Sequence, residues 1–352
     1  MGVRVEQLAI PVPSGITLRA KAWGVPPVDN DDACRRAIIA SHGWLDNAGS
    51  YDLIAPMLAE KAGAYIVCLD LAGHGLSDHR QPHLEYLLWD YVDDMLGVVD
   101  YFGWPKANIL GHSMGGHISL IFAGTFPDRV SKLCVIESFG PSFKFQDDPK
   151  ELRDHILKRR ALDSGRGKPI YESIEKACLA RTKGLTKVSM DAARLLTERG
   201  LTRVVEGNQD VGIPGRGLIS EEGDDEIETN GGASVDASGV TSVKYTWSTD
   251  KRLTLRPFLR WADNAVENFL RAITAPTQLI FGLQTAIWNL DDDFCKTRFT
   301  WFGNLRKDLL PGTHHLHLEA ETAEAVGDSI LEFLELGDDA NRPLKKAKGE
   351  EN

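Results

Sequence analysis

The chain has 352 residues, enough for one large domain with an insertion or for two small domains. Its formal net charge of −11 argues against nucleic acid or an anionic membrane as the main partner, while 42% hydrophobic residues suffice for a substantial core. No apolar run approaches the roughly 18 residues of a transmembrane helix, and the opening "MGVRVEQLAI" lacks the apolar stretch of a signal peptide, so a cytoplasmic protein without stable membrane insertion is expected.

In chain order, "GITLRAKAWG" reads as an early strand and "RRAIIASHG" as a buried one. "SYDLIAPMLAEKAG" has helical spacing and a closing glycine. "AYIVCLDLAGHG" is a strand ending in a glycine turn, and "LEYLLWDYVDDMLGVVDYFGW" is a long amphipathic helix. "KANILGHS" is a strand, "MGGHISLIFAGTFP" a helix and "SKLCVIES" another strand. Such alternation predicts an α/β fold, a mostly parallel sheet flanked by helices. The rhythm stops near Gly140. Residues 141–203 read as helices with no strand between them, and 206–239, rich in Gly, Ser, Asp and Glu, read as a disordered acidic loop. A helix over 259–273 follows, then a strand around 278–282, a helix over 291–302, a short strand before "PGTHHLHLE" and a closing helix in "TAEAVGDSILEFLEL". The expected organisation is a core of residues 1–140 and 263–336, a helical cap insertion over 141–262, and a polar tail over 337–352.

"GHSMG" has the form G-x-S-x-G between a strand and a helix. A sharp turn there thrusts Ser113 above the sheet edge, and the following helix start offers N–H groups to developing negative charge. "SHGWLDN" follows another strand, and the N–H groups of Trp44 and Met114 could together form an oxyanion hole. His42 reads as a residue that shapes this loop, and His74 in "DLAGHGLSD" as part of a backbone turn. "PGTHHLHLE" offers His314 and His315 as competing general bases, with His317 a packing residue. No second cluster has ligand spacing and the five cysteines are widely spread, so no metal is expected.

"HGWLDNAGSYD", "LDLAGHGLSDH", "ILGHSMGGH", "YTWSTDKRL" and "PGTHHLHLE" together resemble the α/β-hydrolase superfamily and, within it, the serine hydrolase-like group, over roughly residues 5 to 205 and 243 to 336. The resemblance places the family's nucleophile on Ser113 and its oxyanion donors on Trp44 and Met114. The family's histidine lies five positions before a glutamate, here Glu319, which favours His314 although Thr313 replaces the usual glycine. The family's usual acid position, three residues past Gly282, holds Thr285, which cannot ionise. Two substitutes stand: Glu137, at the end of the strand where some relatives carry the acid, and the run Asp291-Asp292-Asp293, which also reads as helix caps. Glu137 is preferred, because the strands ending at Glu137 and Gly282 should be neighbours. The implied activity is cofactor-free serine hydrolysis of a small-molecule ester or acyl compound. Thioesterase, amidase, C–C hydrolase or perhydrolase chemistry and a catalytically silent binding protein are the alternatives. Oligomeric state is left open.

Overall fold

The computed structural model describes residues 2–141, 149–164, 167–184, 186–204, 243–255 and 261–335. The expected acidic loop 206–239 and the tail 337–352 lie outside them.

The strands are β1 (Val5–Pro11), β2 (Thr17–Trp23), β3 (Ala37–Ser41), β4 (Tyr65–Asp70), β5 (Ala107–His112), β6 (Val130–Ile136), β7 (Leu201–Val204), β8 (Lys244–Trp247), β9 (Thr277–Gly282) and β10 (Leu305–Leu310). The helices are α1 (Asn30–Arg36), α2 (Ile54–Ala62), α3 (Leu88–Tyr101), α4 (Met114–Thr125), α5 (Pro149–Ser164), α6 (Ile174–Arg181), α7 (Met190–Gly200), α8 (Asp263–Arg271), α9 (Asp293–Phe299) and α10 (Ala323–Glu335).

Eight strands form one sheet in the order β1-β2-β4-β3-β5-β6-β9-β10. The β1–β2 and β2–β4 pairs are antiparallel and the remaining pairs are parallel. Strands β3 to β6 and β9 read as near-continuous apolar runs because both faces of the sheet are covered. On one face Ile54 and Leu58 of α2 and Val326 and Ile330 of α10 pack with Ile38, Ile66, Leu110 and Ile136. On the other, α3, α4 and α8 bring Val98, Ile118, Phe122 and Leu270 onto Ile39, Val67, Ile109 and Leu133.

The order in which strands are added across the sheet reverses at β3. Its successor β4 lies on one side and β5 on the other, so the loops leaving β3 and β5 diverge. Open α/β sheets bind ligands at such a switch point, beyond the carboxyl ends of the strands. "SHGWLDN" and "GHSMG" emerge there.

Between β6 and β9 the chain forms α5, α6 and α7. Contrary to the all-helical expectation, it also forms an antiparallel pair, β7 with β8, extended by a bridge between Tyr171 and Tyr245. Leu201–Val204 is too short to show a period of two. Three polar contacts fasten this segment over the strand ends. Asn47 Nδ2 donates to Leu196 O at 2.7 Å. Arg181 Nη2 meets Asp46 Oδ1 at 2.7 Å, and Arg199 Nε lies 2.9 Å from both oxygens of Asp70. Among the described residues no helix is long and apolar enough to cross a membrane.

Candidate active site

Ser113 sits between β5 and α4 with φ 50° and ψ −111°, a conformation that L-residues rarely adopt. Its N–H donates to Ile136 O (3.0 Å) and its own carbonyl accepts from His117 N–H (3.0 Å), so both flanks of the turn are tied down. The two glycines of the motif are required by crowding. A Cβ at Gly115 would lie 2.0 Å from Ser41 O, and one at Gly111 would lie 2.5 Å from Ser119 Oγ. That close approach lets Gly115 N–H reach His42 O at 3.0 Å and locks the loop after β3 against the start of α4.

Met114 is the first residue of α4, in the turn where helix N–H groups have no intrahelical acceptor. Trp44 lies on the neighbouring loop. Its indole Nε1 donates to Leu253 O at 2.7 Å, which pins the side chain beneath the turn Lys251–Thr254. His42 is absorbed by that loop as well. Its Nδ1 donates to Gly43 O (2.7 Å) and its Nε2 accepts from Leu71 N–H (3.0 Å). His74 donates from Nδ1 to Ala72 O at 3.1 Å, and burial lowers its pKa to about 3.

The structure brings His314 and Glu137 together: His314 Nδ1 lies 3.1 Å from Glu137 Oε2. Glu137 follows β6 with φ 55°, a turn that sends its side chain across to β9. It is 1% exposed, and its carboxylate is well supplied with donors. Gly282 N–H reaches Oε1 at 2.7 Å, and Thr285 Oγ1–H reaches Oε2 at 2.6 Å. Trp288 Nε1 donates to the Glu137 carbonyl at 3.1 Å. Thr285, at the family's usual acid position, thus holds the carboxylate that follows β6. The aspartate run serves α9 instead. Asp292 Oδ1 accepts from Cys295 N–H at 2.8 Å as an N-cap, and Asp293 opens the helix.

The loop carrying His314 is fastened to the serine turn by His112, whose Nε2 donates to His314 O at 2.9 Å. His315 points away from Glu137; its Nε2 lies 3.2 Å from Asp46 Oδ2. His317 is fully buried with its ring 4.2 Å from that of His112. Sequence reasoning passed over Asp46, His112 and Arg181. Asp46 stands in the quoted "SHGWLDN", but its partners lie 135 and 269 positions away, and no local spacing announces them. The same fold placement brings Asp46 and His112 to His315, a grouping of possible metal ligands that the wide spacing in sequence concealed.

The family model for the alpha/beta hydrolase fold matches residues 36–211. A serine hydrolase-like protein of Dictyostelium discoideum is 28% identical over 94% of this chain and 81% of its own length. Human serine hydrolase-like protein 2 is 35% identical over 58% of this chain and 62% of its own length. The crystal structure of a hypothetical protein of Pseudomonas aeruginosa PAO1 superimposes with a TM-score of 0.73 at 34% identity, covering 93% of this chain and 99% of that one. A parallel sheet with a serine turn at its switch point, the family match and a relative aligned along nearly its whole length converge, and the chain belongs to the α/β-hydrolase fold family.

Proposed function

We propose that the protein is a serine hydrolase that cleaves carboxylic esters of small molecules through an acyl-enzyme. Membership of the family and the serine hydrolase-like relatives support hydrolysis in general. The observation that carries the catalytic reading is the bond between His314 Nδ1 and the buried, donor-rich carboxylate of Glu137 at 3.1 Å.

In this reading Glu137 fixes the histidine tautomer. With the proton on Nδ1 held toward the carboxylate, Nε2 is a free base for the Ser113 hydroxyl. Ser113 Oγ attacks the ester carbonyl as its proton passes to His314. The carbonyl oxygen takes the negative charge and draws on the N–H groups of Trp44 and Met114. Collapse of the tetrahedral species expels the alcohol, which takes the proton from His314. Water, deprotonated by the same nitrogen, then releases the acid and restores the serine. No cofactor enters these steps. Residues 141–262 act as a cap over the core of 1–140 and 263–336, and the cap sets which acyl and alcohol groups fit. The pinning of Asn47, Asp46 and Asp70 by that segment supports a docked cap.

Labelling with a fluorophosphonate tests the reading. The wild-type chain should react and Ser113→Ala should not, while circular dichroism stays unchanged. An unreactive wild-type chain would favour a binding protein on the same fold, and undiminished labelling of Ser113→Ala would remove Ser113 as the nucleophile.

A further inference from the structure

We propose that Asp46, His112 and His315 form a binding site for a divalent transition metal of the zinc class, set between the serine turn and the loop that carries His314. The three side chains come from the loop after β3, the end of β5 and the loop after β10. Asp46 Oδ2 lies 3.2 Å from His315 Nε2 and 4.0 Å from His112 Nδ1. All three donor atoms lie within 4.8 Å of one another, and none of the residues is more than 2% exposed.

The argument turns on where the protons are. His112 Nε2 faces the carbonyl oxygen of His314 at 2.9 Å, and a carbonyl only accepts, so Nε2 carries the hydrogen. In the neutral ring Nδ1 is then a bare lone pair. It is sealed from solvent, has no hydrogen-bond partner and faces a carboxylate oxygen. Two buried acceptors facing each other are unfavourable unless a positive centre stands between them. The space for one is kept by Gly43: a Cβ there would lie 2.8 Å from His112 Nδ1 and 3.1 Å from Asp46 Oδ2. His315 can join by moving its proton from Nε2 to Nδ1, which has no partner to lose.

Two imidazoles and one carboxylate suit zinc, cobalt, nickel or copper rather than magnesium or calcium, and three protein donors leave a fourth position for water. Metal–ligand bonds of about 2.0–2.2 Å at tetrahedral angles put donor atoms about 3.3–3.5 Å apart. The Asp46–His315 pair is already near that distance, and His112 has to close in. Arg181 occupies the other oxygen of Asp46 and leaves Oδ2 to His315, whose proton the metal would replace, but the positive charge of Arg181 opposes a cation and points to micromolar rather than tighter affinity. The site is buried, so entry requires the loop after β10 to open. His112 precedes Ser113 and His315 follows His314, so a bound metal would shift both neighbours. Reversible inhibition by zinc is therefore expected, a consequence that rests on the proposed catalytic reading, whereas binding does not.

The test is equilibrium dialysis of the chelator-treated full chain against zinc alone and cobalt alone, with cobalt absorption as a second readout. One equivalent should bind at micromolar metal with a tetrahedral nitrogen–oxygen cobalt spectrum. His315→Ala, which removes a ligand, should weaken binding by more than the roughly 100-fold upper figure for losing a ligand's outer partner, and His314→Ala should leave it intact. Gly43→Ala, which fills the space by a methyl group, serves as a second variant should His315→Ala fail to fold by circular dichroism. Absence of saturable uptake by the wild-type chain overturns the proposal. So does binding that survives His315→Ala but is lost with His314→Ala, since the metal would then sit on the proposed general base.

Discussion

Replacing Glu137 by glutamine exchanges one oxygen for an NH2 group and reverses two hydrogen bonds. The amide oxygen can keep the Gly282 N–H now bonded at 2.7 Å, which leaves the NH2 group facing Thr285 Oγ1 and His314 Nδ1, now 2.6 and 3.1 Å from Oε2. A donor at that place turns Nδ1 into an acceptor and moves the ring proton to Nε2, where it blocks deprotonation of the serine. In other triads the wrong tautomer costs about 10⁴-fold, or about 5.4 kcal/mol at 1.36 kcal/mol per decade. The expected result for Glu137→Gln is thus a loss of that order in kcat on short-chain p-nitrophenyl esters, with KM and melting temperature little changed. Thr285 supplies the counter-experiment, because its hydroxyl oxygen already touches the carboxylate. Thr285→Asp in the Glu137→Gln background returns a carboxylate to the usual position of the family and should recover roughly two decades of kcat. Thr285→Asp alone puts a half-buried carboxylate beside the buried Glu137, so one of them should hold a proton and the acidic limb of the pH–rate profile should move upward. A Glu137→Gln variant within about tenfold of the wild-type kcat would refute the whole chain of reasoning, because a mere packing carboxylate does not set a tautomer.

Two further predictions concern stability. Burial lowers the pKa of His74 and of His117 to about 3, with the charges of His42 and Arg298 respectively adding to the effect, whereas an unfolded histidine titrates near 6.5. The unfolded chain then binds protons that the folded chain excludes, so this contribution is full above pH 6.5 and is lost as pH falls toward 3. The two together should cost about 2.7 kcal/mol per pH unit across the middle of that window, and a double His74→Asn, His117→Asn variant should flatten the dependence of the urea midpoint on pH; a midpoint already flat in the wild-type chain would contradict the assignment. Arg199→Met should destabilise by about 3 kcal/mol, the low end for breaking a buried pair, since the fully buried Asp70 keeps the N–H groups of Ala48 and Leu76. A change below about 0.5 kcal/mol in denaturant titration would mean that this contact does not fasten the segment between β6 and β9.

The core of the fold was readable because its strands obey one rule. Strands buried on both faces become uninterrupted apolar runs, and β3, β4, β5, β6 and β9 each stand out between glycine turns and amphipathic helices. The elements that escaped notice break that rule. β1 alternates exposed and partly buried residues at the sheet edge, so its apolar content is diluted. α1 has seven residues and owes its start to Asp29 accepting from Asp32 N–H rather than to an apolar stripe. β7 and β8 have four residues each and are joined in register across 39 intervening positions, a pairing that no local pattern reveals.

The site divides along the same line. Ser113 could be nominated from sequence because a turn between a strand and a helix is local geometry, as is the crowding of Gly111 against Gly115 and Ser119, whereas Gly115 is demanded by Ser41 and His42 at the end of β3. Residue type alone cannot assign the two histidines at 314 and 315, whose rings lie 5.2 Å apart. What separates them is a carboxylate on either side: Glu137 faces one and Asp46 the other. That difference exists only once β6 and β9 are neighbours and the loop after β3 is folded beneath the loop after β10. Glu137 could be nominated from sequence because strand order predicts which tips adjoin. Thr285 could be recognised only as a missing acid, since its role is defined by a carboxylate 148 positions away. An ionisable residue at one strand tip and a hydroxyl donor at the next amount to the same hydrogen-bonded unit with its charge moved by one strand. In this chain the partner of His314 is therefore found by looking over adjacent strand ends rather than at a fixed offset from Gly282.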